Sequence, residues 1–174
     1  MKTQSINITW LEYKGEIKKI SKCDNYFKIL HHKMIQLNEY KDLYKEVGVK
    51  YKWLGRIQMD NKKLEEIILD SQVEIHLMKN NNQSIGFFEI DYRNDYIRNG
   101  ELRIVHFGLI ENFIGKGLGV KLMDAVISRA HELGIKKIVL QTNSLDHSRA
   151  LPFYKQYGFK VFSEEKKDII YSVN

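Results

Sequence analysis

A single cysteine, Cys23, leaves this chain without any internal disulfide, so nothing in it calls for an oxidising compartment. A reducing cytosol is the expected setting. A single proline, Pro152, leaves its helices and strands almost free of backbone interruption. No apolar run reaches the roughly 18 residues that a membrane helix needs, so no membrane partner is expected. Residues 1–20 are polar and charged, without the apolar core of a signal peptide. No repeat, low-complexity tract or linker divides the 174 residues, and one domain over 1–174 is expected. Acidic residues are in deficit, 22 against 28 basic ones, for a net charge of +6. The lysines are scattered in small groups such as Lys62-Lys63 and Lys136-Lys137. A nucleic-acid binder gathers its charge into one face, so no nucleic-acid partner is expected. The surplus would instead attract an anionic small molecule.

Periodicity is the clearest positive signal. Ile6, Ile8 and Trp10 alternate with polar residues, which predicts a strand. The stretch from Tyr26 to His31 reads as a short strand or a helix start. From Met34 to Val47, residues Leu37, Tyr40, Leu43, Tyr44 and Val47 form one helical face, with Gly48 as a stop signal. Asp60 can cap a helix carrying Leu64, Ile67 and Ile68 inward. From Val73 the pattern turns to strands: Val73–Met78, a turn at 80–83, Ile85–Tyr92, a turn at 93–100, and Leu102–Leu109. A helix from Gly117 carries Leu118, Leu122, Ala125, Val126 and Leu133 on one stripe and ends at Gly134. A buried strand at Lys137–Thr142 and a short helix follow, with Ser148 as its expected cap and Pro152 in its first turn. A last hairpin is expected from Phe159–Ser163 and Ile169–Val173 around a turn at 164–168. This order predicts an α/β fold with a mixed central sheet flanked by helices.

The loop at 114–119 carries the functional signal. An apolar strand runs into Gly115, Gly117 and Gly119, and an amphipathic helix follows at once. Glycines let the backbone approach a ligand closely, and free N–H groups at a helix start face an anion. A phosphate-bearing cofactor is therefore expected there. A P-loop needs a serine or threonine after its lysine, and Lys116 is followed by Gly117. A dinucleotide loop needs another last glycine spacing and an acidic residue after the next strand, which ends Leu140-Gln141-Thr142-Asn143.

Ile114 to Gly119 fits the remaining design, x-x-x-Gly-x-Gly, the coenzyme A pyrophosphate loop of the GNAT acyltransferases. Downstream, Asp146 to Phe159 resembles the second GNAT signature, Asn-x-x-Ala-x-x-x-Tyr-x-x-x-Gly-Phe, through Ala150, Tyr154, Gly158 and Phe159. The resemblance covers roughly Val73 to Val173. The upstream segment 43–48, Trp53 and Arg56 look like one bacterial branch of that family. The resemblance implies a GNAT-like fold with two splayed parallel strands, ending near Leu109 and Thr142, that admit the pantetheine arm. It also implies an acetyl-CoA-dependent N-acetyltransferase that passes the acetyl group directly to a small-molecule or peptide amine, with no metal. Cofactor contacts are then expected from Leu109, Ile110, Gly115, Lys116, Gly117, Leu118, Gly119, Val120, Asn143 and His147. Ile114 stands where many relatives begin the loop with arginine or glutamine, and His147 where they have asparagine.

By the same resemblance Tyr154 is expected near the cofactor sulfur, and a phenol that is protonated at neutral pH can act as an acid. Counting back from the loop puts Arg103 where several relatives carry a glutamate or histidine, and arginine is a poor base. Glu101 and Glu89 are the candidate bases, and Arg103 is a candidate for an acidic group of the substrate. His106 falls on the opposite face from Arg103 in a regular strand and reads as structural. Arginine at the base position also fits a second function, an acyl-CoA-binding or sensing module without turnover. Asp146-His147 and His31-His32 are adjacent pairs with no third ligand in sequence, a weak metal signal. Cys23 lies outside both motifs and is not expected to be a nucleophile.

Overall fold

The computed structural model describes residues 2–20, 26–93 and 100–171. Cys23 and most of the turn expected at 93–100 lie outside them. Seven strands form one mixed sheet: β1 (Lys2–Tyr13), β2 (Phe27–His31), β3 (Val73–Asn80), β4 (Gln83–Asp91), β5 (Glu101–Leu109), β6 (Lys137–Asn143) and β7 (Phe159–Tyr171). Their order is β2-β3-β4-β5-β6-β1-β7. Among the described residues five α-helices accompany it: α1 (Leu37–Gly48), α2 (Gly55–Gln58), α3 (Asn61–Ile68), α4 (Leu118–Glu132) and α5 (Ala150–Tyr157).

Most local expectations follow from capping and periodicity. Asp60 accepts the backbone N–H of Lys63 and starts α3. Gly134, at φ +68°, ends α4. The segment from 26 to 31 resolves into the edge strand β2. Gly48 is not the stop it resembles. Helix α1 includes it and passes into a 3-10 turn at Val49–Tyr51. A Cβ there would lie 2.3 Å from the Trp53 ring, so its glycine serves close packing. Ser148 does not cap α5. The side chain that accepts there is His147, whose Nδ1 takes the Arg149 N–H at 3.0 Å.

The carboxyl-terminal hairpin is absent. Residues 159–171 form one continuous strand, β7, paired antiparallel with β1 from Phe159↔Tyr13 onward. The polar run at 164–168 reads as a turn in sequence, yet its side chains are exposed on an edge strand. Charged side chains suit such an edge, because they discourage pairing with other chains. Strand β1 therefore lies between β6 and β7, a placement that local sequence does not encode.

One feature of the sheet creates the site. Strands β5 and β6 are parallel and pair from Glu101↔Lys137 to Ile104↔Leu140. There the pairing stops, although β5 runs on to Leu109 and β6 to Asn143. At that point β5 carries a bulge: Ile104 faces Ile90 and His106 faces Glu89, which leaves Val105 as the extra residue. A bulge bends the strand that carries it, and here it turns β5 away from β6.

Candidate active site

The splay opens a cleft of about 330 Å³ lined by Val105 to Leu109, by Gln141 and Asn143, and by Tyr44, Trp53 and Tyr154. A second cavity of about 380 Å³ continues from it over Gly115, Gly117, Gly119 and Val120. The two share Gly108, Leu109, Ile114, His147 and Tyr154, so one groove runs from the split sheet to the start of α4.

The glycine loop turns through left-handed backbone. Gly115 and Gly117 sit at φ +83° and +76°, where a side chain would be strained. Gly117 caps α4 without any side-chain hydrogen bond, so the first N–H groups of the helix are left for a ligand. Gly119 faces the groove, with the Phe153 ring 3.6 Å from where its Cβ would be. Lys116 is exposed and its Nζ lies 5.2 Å from the Phe113 ring centroid. Val120 is exposed on the groove. Leu118 is buried in the core, which leaves its backbone as its only possible contribution. These features fit a pyrophosphate bound through backbone N–H groups.

Ile110 departs from expectation. Its N–H donates to the Ile85 carbonyl at 2.9 Å and its carbonyl accepts from the Phe113 N–H at 3.0 Å. Both backbone groups are engaged, so Leu109, which lines the groove, is the better partner for a pantetheine amide. Asn143 lines the cleft, but its Oδ1 already accepts the Leu145 N–H at 2.8 Å. Asp146 organises this loop. It accepts from Thr142 Oγ1 at 2.6 Å, from the Asn143 N–H at 3.0 Å and from Trp53 Nε1 at 3.0 Å. One carboxylate thus ties the end of β6 to the segment between α1 and α2.

The bulge also decides which side chains share the cleft. Because it shifts alternation by one place, His106 lands on the same face as Glu89, Asp91 and Arg103, contrary to the regular-strand expectation. Glu89 is fully buried. It bonds to the Arg56 guanidinium, accepts from Tyr40 Oη at 2.5 Å and meets His106 Nδ1 at 2.9 Å. Burial alone would raise its pKa. The His106 ring, Arg56 and the Tyr40 hydroxyl outweigh burial and hold the carboxyl down to about 2. An ionised carboxylate only accepts, so Nδ1 of His106 is the donor in that bond, and whenever the ring is neutral Nε2 carries the lone pair. The ring itself lines the cleft, held edge-on by Tyr44 at 4.9 Å and beside Trp53 at 5.3 Å.

Glu89 is therefore too acidic for a base and is well placed to orient one. Glu101 is not in the cleft: at the closed end of β5 it faces Lys137 Nζ at 3.3 Å. Tyr154 is 8% exposed and lines both parts of the groove. Burial, reinforced by Asp146, pushes its phenol well above the ordinary value, so it stays protonated. Sequence reasoning missed His106 and the role of Arg56. The available signal was polarity, since Glu89 and His106 are ionisable residues inside otherwise apolar strands.

Away from the groove, His31, Glu74 and His76 bring ligand-type atoms within 4.8 Å of one another. Arg129 already bonds to both oxygens of Glu74, at 2.8 and 2.7 Å, and supplies the positive charge an ion would bring.

The stored charge of Glu89 has a pH signature. Its folded pKa lies below the ordinary carboxylate value of 4.5, so its stabilisation is complete above that pH and is lost as pH falls toward about 2. Urea titrations are expected to show stability dropping through this window, with a flatter fall in Glu89→Gln. Parallel acid limbs in the two proteins would contradict this assignment.

The fold and groove are those of an acyltransferase-type domain. Residues 41–169 match the family model described as acetyltransferase (GNAT) domain, and the chain belongs to that family. A comparison with curated protein sequences returned no match. Among solved structures, the chain is similar to a GNAT-family protein from Novosphingobium aromaticivorans (11% identity, TM-score 0.66), covering 94% of this chain and 63% of that one. It is also similar to aminoglycoside acetyltransferase meta-AAC0020 from an uncultured soil metagenomic sample, solved with sisomicin (18% identity, TM-score 0.63, covering 76% and 88%). A third is aminoglycoside N-acetyltransferase AAC(6')-Iy in complex with CoA (17% identity, TM-score 0.60, covering 89% and 99%). At such identities the likeness is one of fold. Among the described residues no helix is long and apolar enough to cross a membrane.

Proposed function

We propose that this protein is a cytoplasmic N-acetyltransferase that moves an acetyl group from acetyl-CoA directly to an amine. The observation that carries this reading is the continuous groove joining the α4 N-terminus, the splayed strands and the Glu89–His106 pair. Bound acetyl-CoA would supply an activated thioester. Leu109 and the N–H groups of 117–120 would hold it. His106 Nε2 takes a proton from the amine as the new C–N bond forms, and Glu89 stabilises the imidazolium that results. As the C–S bond breaks, the Tyr154 hydroxyl supplies a proton to the sulfur. The ordered Glu89–His106 pair favours turnover over a purely sensing module.

Thermal unfolding with acetyl-CoA, coenzyme A and ATP in separate samples tests the groove. A ligand at about 100 times its Kd stabilises by roughly 2.7 kcal/mol. For a domain of this size that is a Tm shift on the order of 5–10 °C. The expected result is a shift with both coenzyme A species and none with ATP. No shift at millimolar acetyl-CoA would remove the reading.

A further inference from the structure

Next to the cleft, on the same face of the sheet, lies a smaller cavity of about 230 Å³. Arg56, Lys63, Asp91 and Arg103 line it, and Val105, the bulge residue, lines both it and the cleft. Its charges do not balance. Arg56 is matched by Glu89. Asp91 is bonded by Arg93 through Nε at 3.0 Å and Nη2 at 2.6 Å. Neither Arg103 nor Lys63 makes an ion pair among the described residues.

Arg103 is the sharper anomaly. Its Nε is buried and has no hydrogen-bond partner among the described residues. Its guanidinium lies 5.0 Å from the Trp10 ring centroid, a cation–π contact that uses the face of the group and not its N–H edge. A buried donor left unpaired is costly, and a native structure keeps one where a ligand completes it. Burial, aided by the nearby Arg56, pulls the pKa of this arginine below its ordinary value, and the attraction of Asp91 and Glu89 offsets this only in part. Nε–H and the adjacent Nη–H form a side-on fork whose natural complement is a carboxylate.

We infer that the acceptor is an amine that also carries a carboxylate, with the carboxylate held by Arg103 while the amine faces His106. This rests on the acetyl-transfer reading above. Three strand residues separate the two positions, about 10 Å of strand at roughly 3.3 Å per residue. An ω-amino acid or a short acidic peptide fits that spacing. A polycationic aminoglycoside does not suit the surplus positive charge.

The test separates the two readings. Calorimetric titration with glutarate, a dicarboxylate without an amine, is run on the wild type, Arg103→Gln and Arg103→Lys, each checked for folding by circular dichroism. Glutarate is expected to bind the wild type. Affinity should fall about tenfold or more in Arg103→Gln, the scale of a lost hydrogen bond to a charged group. Arg103→Lys keeps the charge but not the fork and should recover only part of it. Coenzyme A affinity should be the same in all three. In acetylation assays 6-aminohexanoate should have a lower KM than hexylamine or sisomicin, and Arg103→Gln should raise that KM with kcat nearly unchanged. Equal glutarate binding in wild type and Arg103→Gln would overturn the inference, as would tighter binding of inorganic phosphate than of glutarate. Absence of coenzyme A binding would instead remove the acetyl-transfer reading, while the glutarate titration would still decide the role of Arg103.

Discussion

The His106→Gln variant is expected to lower kcat/KM by about 10²- to 10⁴-fold, the range that a positioned general base contributes. Glutamine fills much the same space and can still donate toward Glu89, so the packing against Tyr44 and Trp53 is kept. What it lacks is a basic nitrogen in the cleft. Coenzyme A affinity should therefore be unchanged, and added imidazole should restore part of the rate. An unaltered kcat/KM would mean that the amine loses its proton to water or to another group, and that the Glu89–His106 pair is structural.

The second large effect concerns stability. Glu89→Ala removes the one carboxylate that neutralises Arg56 in the interior, and leaves the Tyr40 hydroxyl without its acceptor. Removing one partner of a buried ion pair typically costs about 3–5 kcal/mol, because the remaining charge is stranded. For a domain of this size that is a loss in Tm on the order of 10 °C. Arg56 and Glu89 are both buried, so water has little access to compensate. The double variant Arg56→Met with Glu89→Leu should recover much of the loss, since it removes both charges and fills the space. If Glu89→Ala alone melted within a degree or two of the wild type, the carboxylate would have to be far better solvated than its burial indicates.

The two variants also separate the roles of one cluster. Glu89 is tied to α1 through Tyr40, to α2 through Arg56 and to β5 through His106. It holds the first helices against the sheet and fixes the tautomer of the ring at the same time. A fall in activity for Glu89→Gln larger than its fall in stability would assign it to positioning as well as to folding.

What the sequence determined by itself is the part of the protein whose physics is local. Gly115 and Gly117 need left-handed backbone, the stripe on α4 needs a core beside it, and the spacing from Ala150 to Phe159 places Tyr154 on the following helix. These depend on neighbours a few residues apart, so the glycine turn, its helix and the family were legible in the sequence alone. The tertiary structure alone decided the rest. The run at 164–168 carries the composition of a turn, and only pairing with β1, more than 150 residues away, makes it a strand. Alternation along β5 sends His106 away from Arg103, and only the bulge at Val105, fixed by register against β4, brings it back. Glu89, Tyr40 and Arg56 are ordinary residues of separate segments. Burial in one interior is what turns them into a charge cluster, because attraction at close range is strong only where water is excluded.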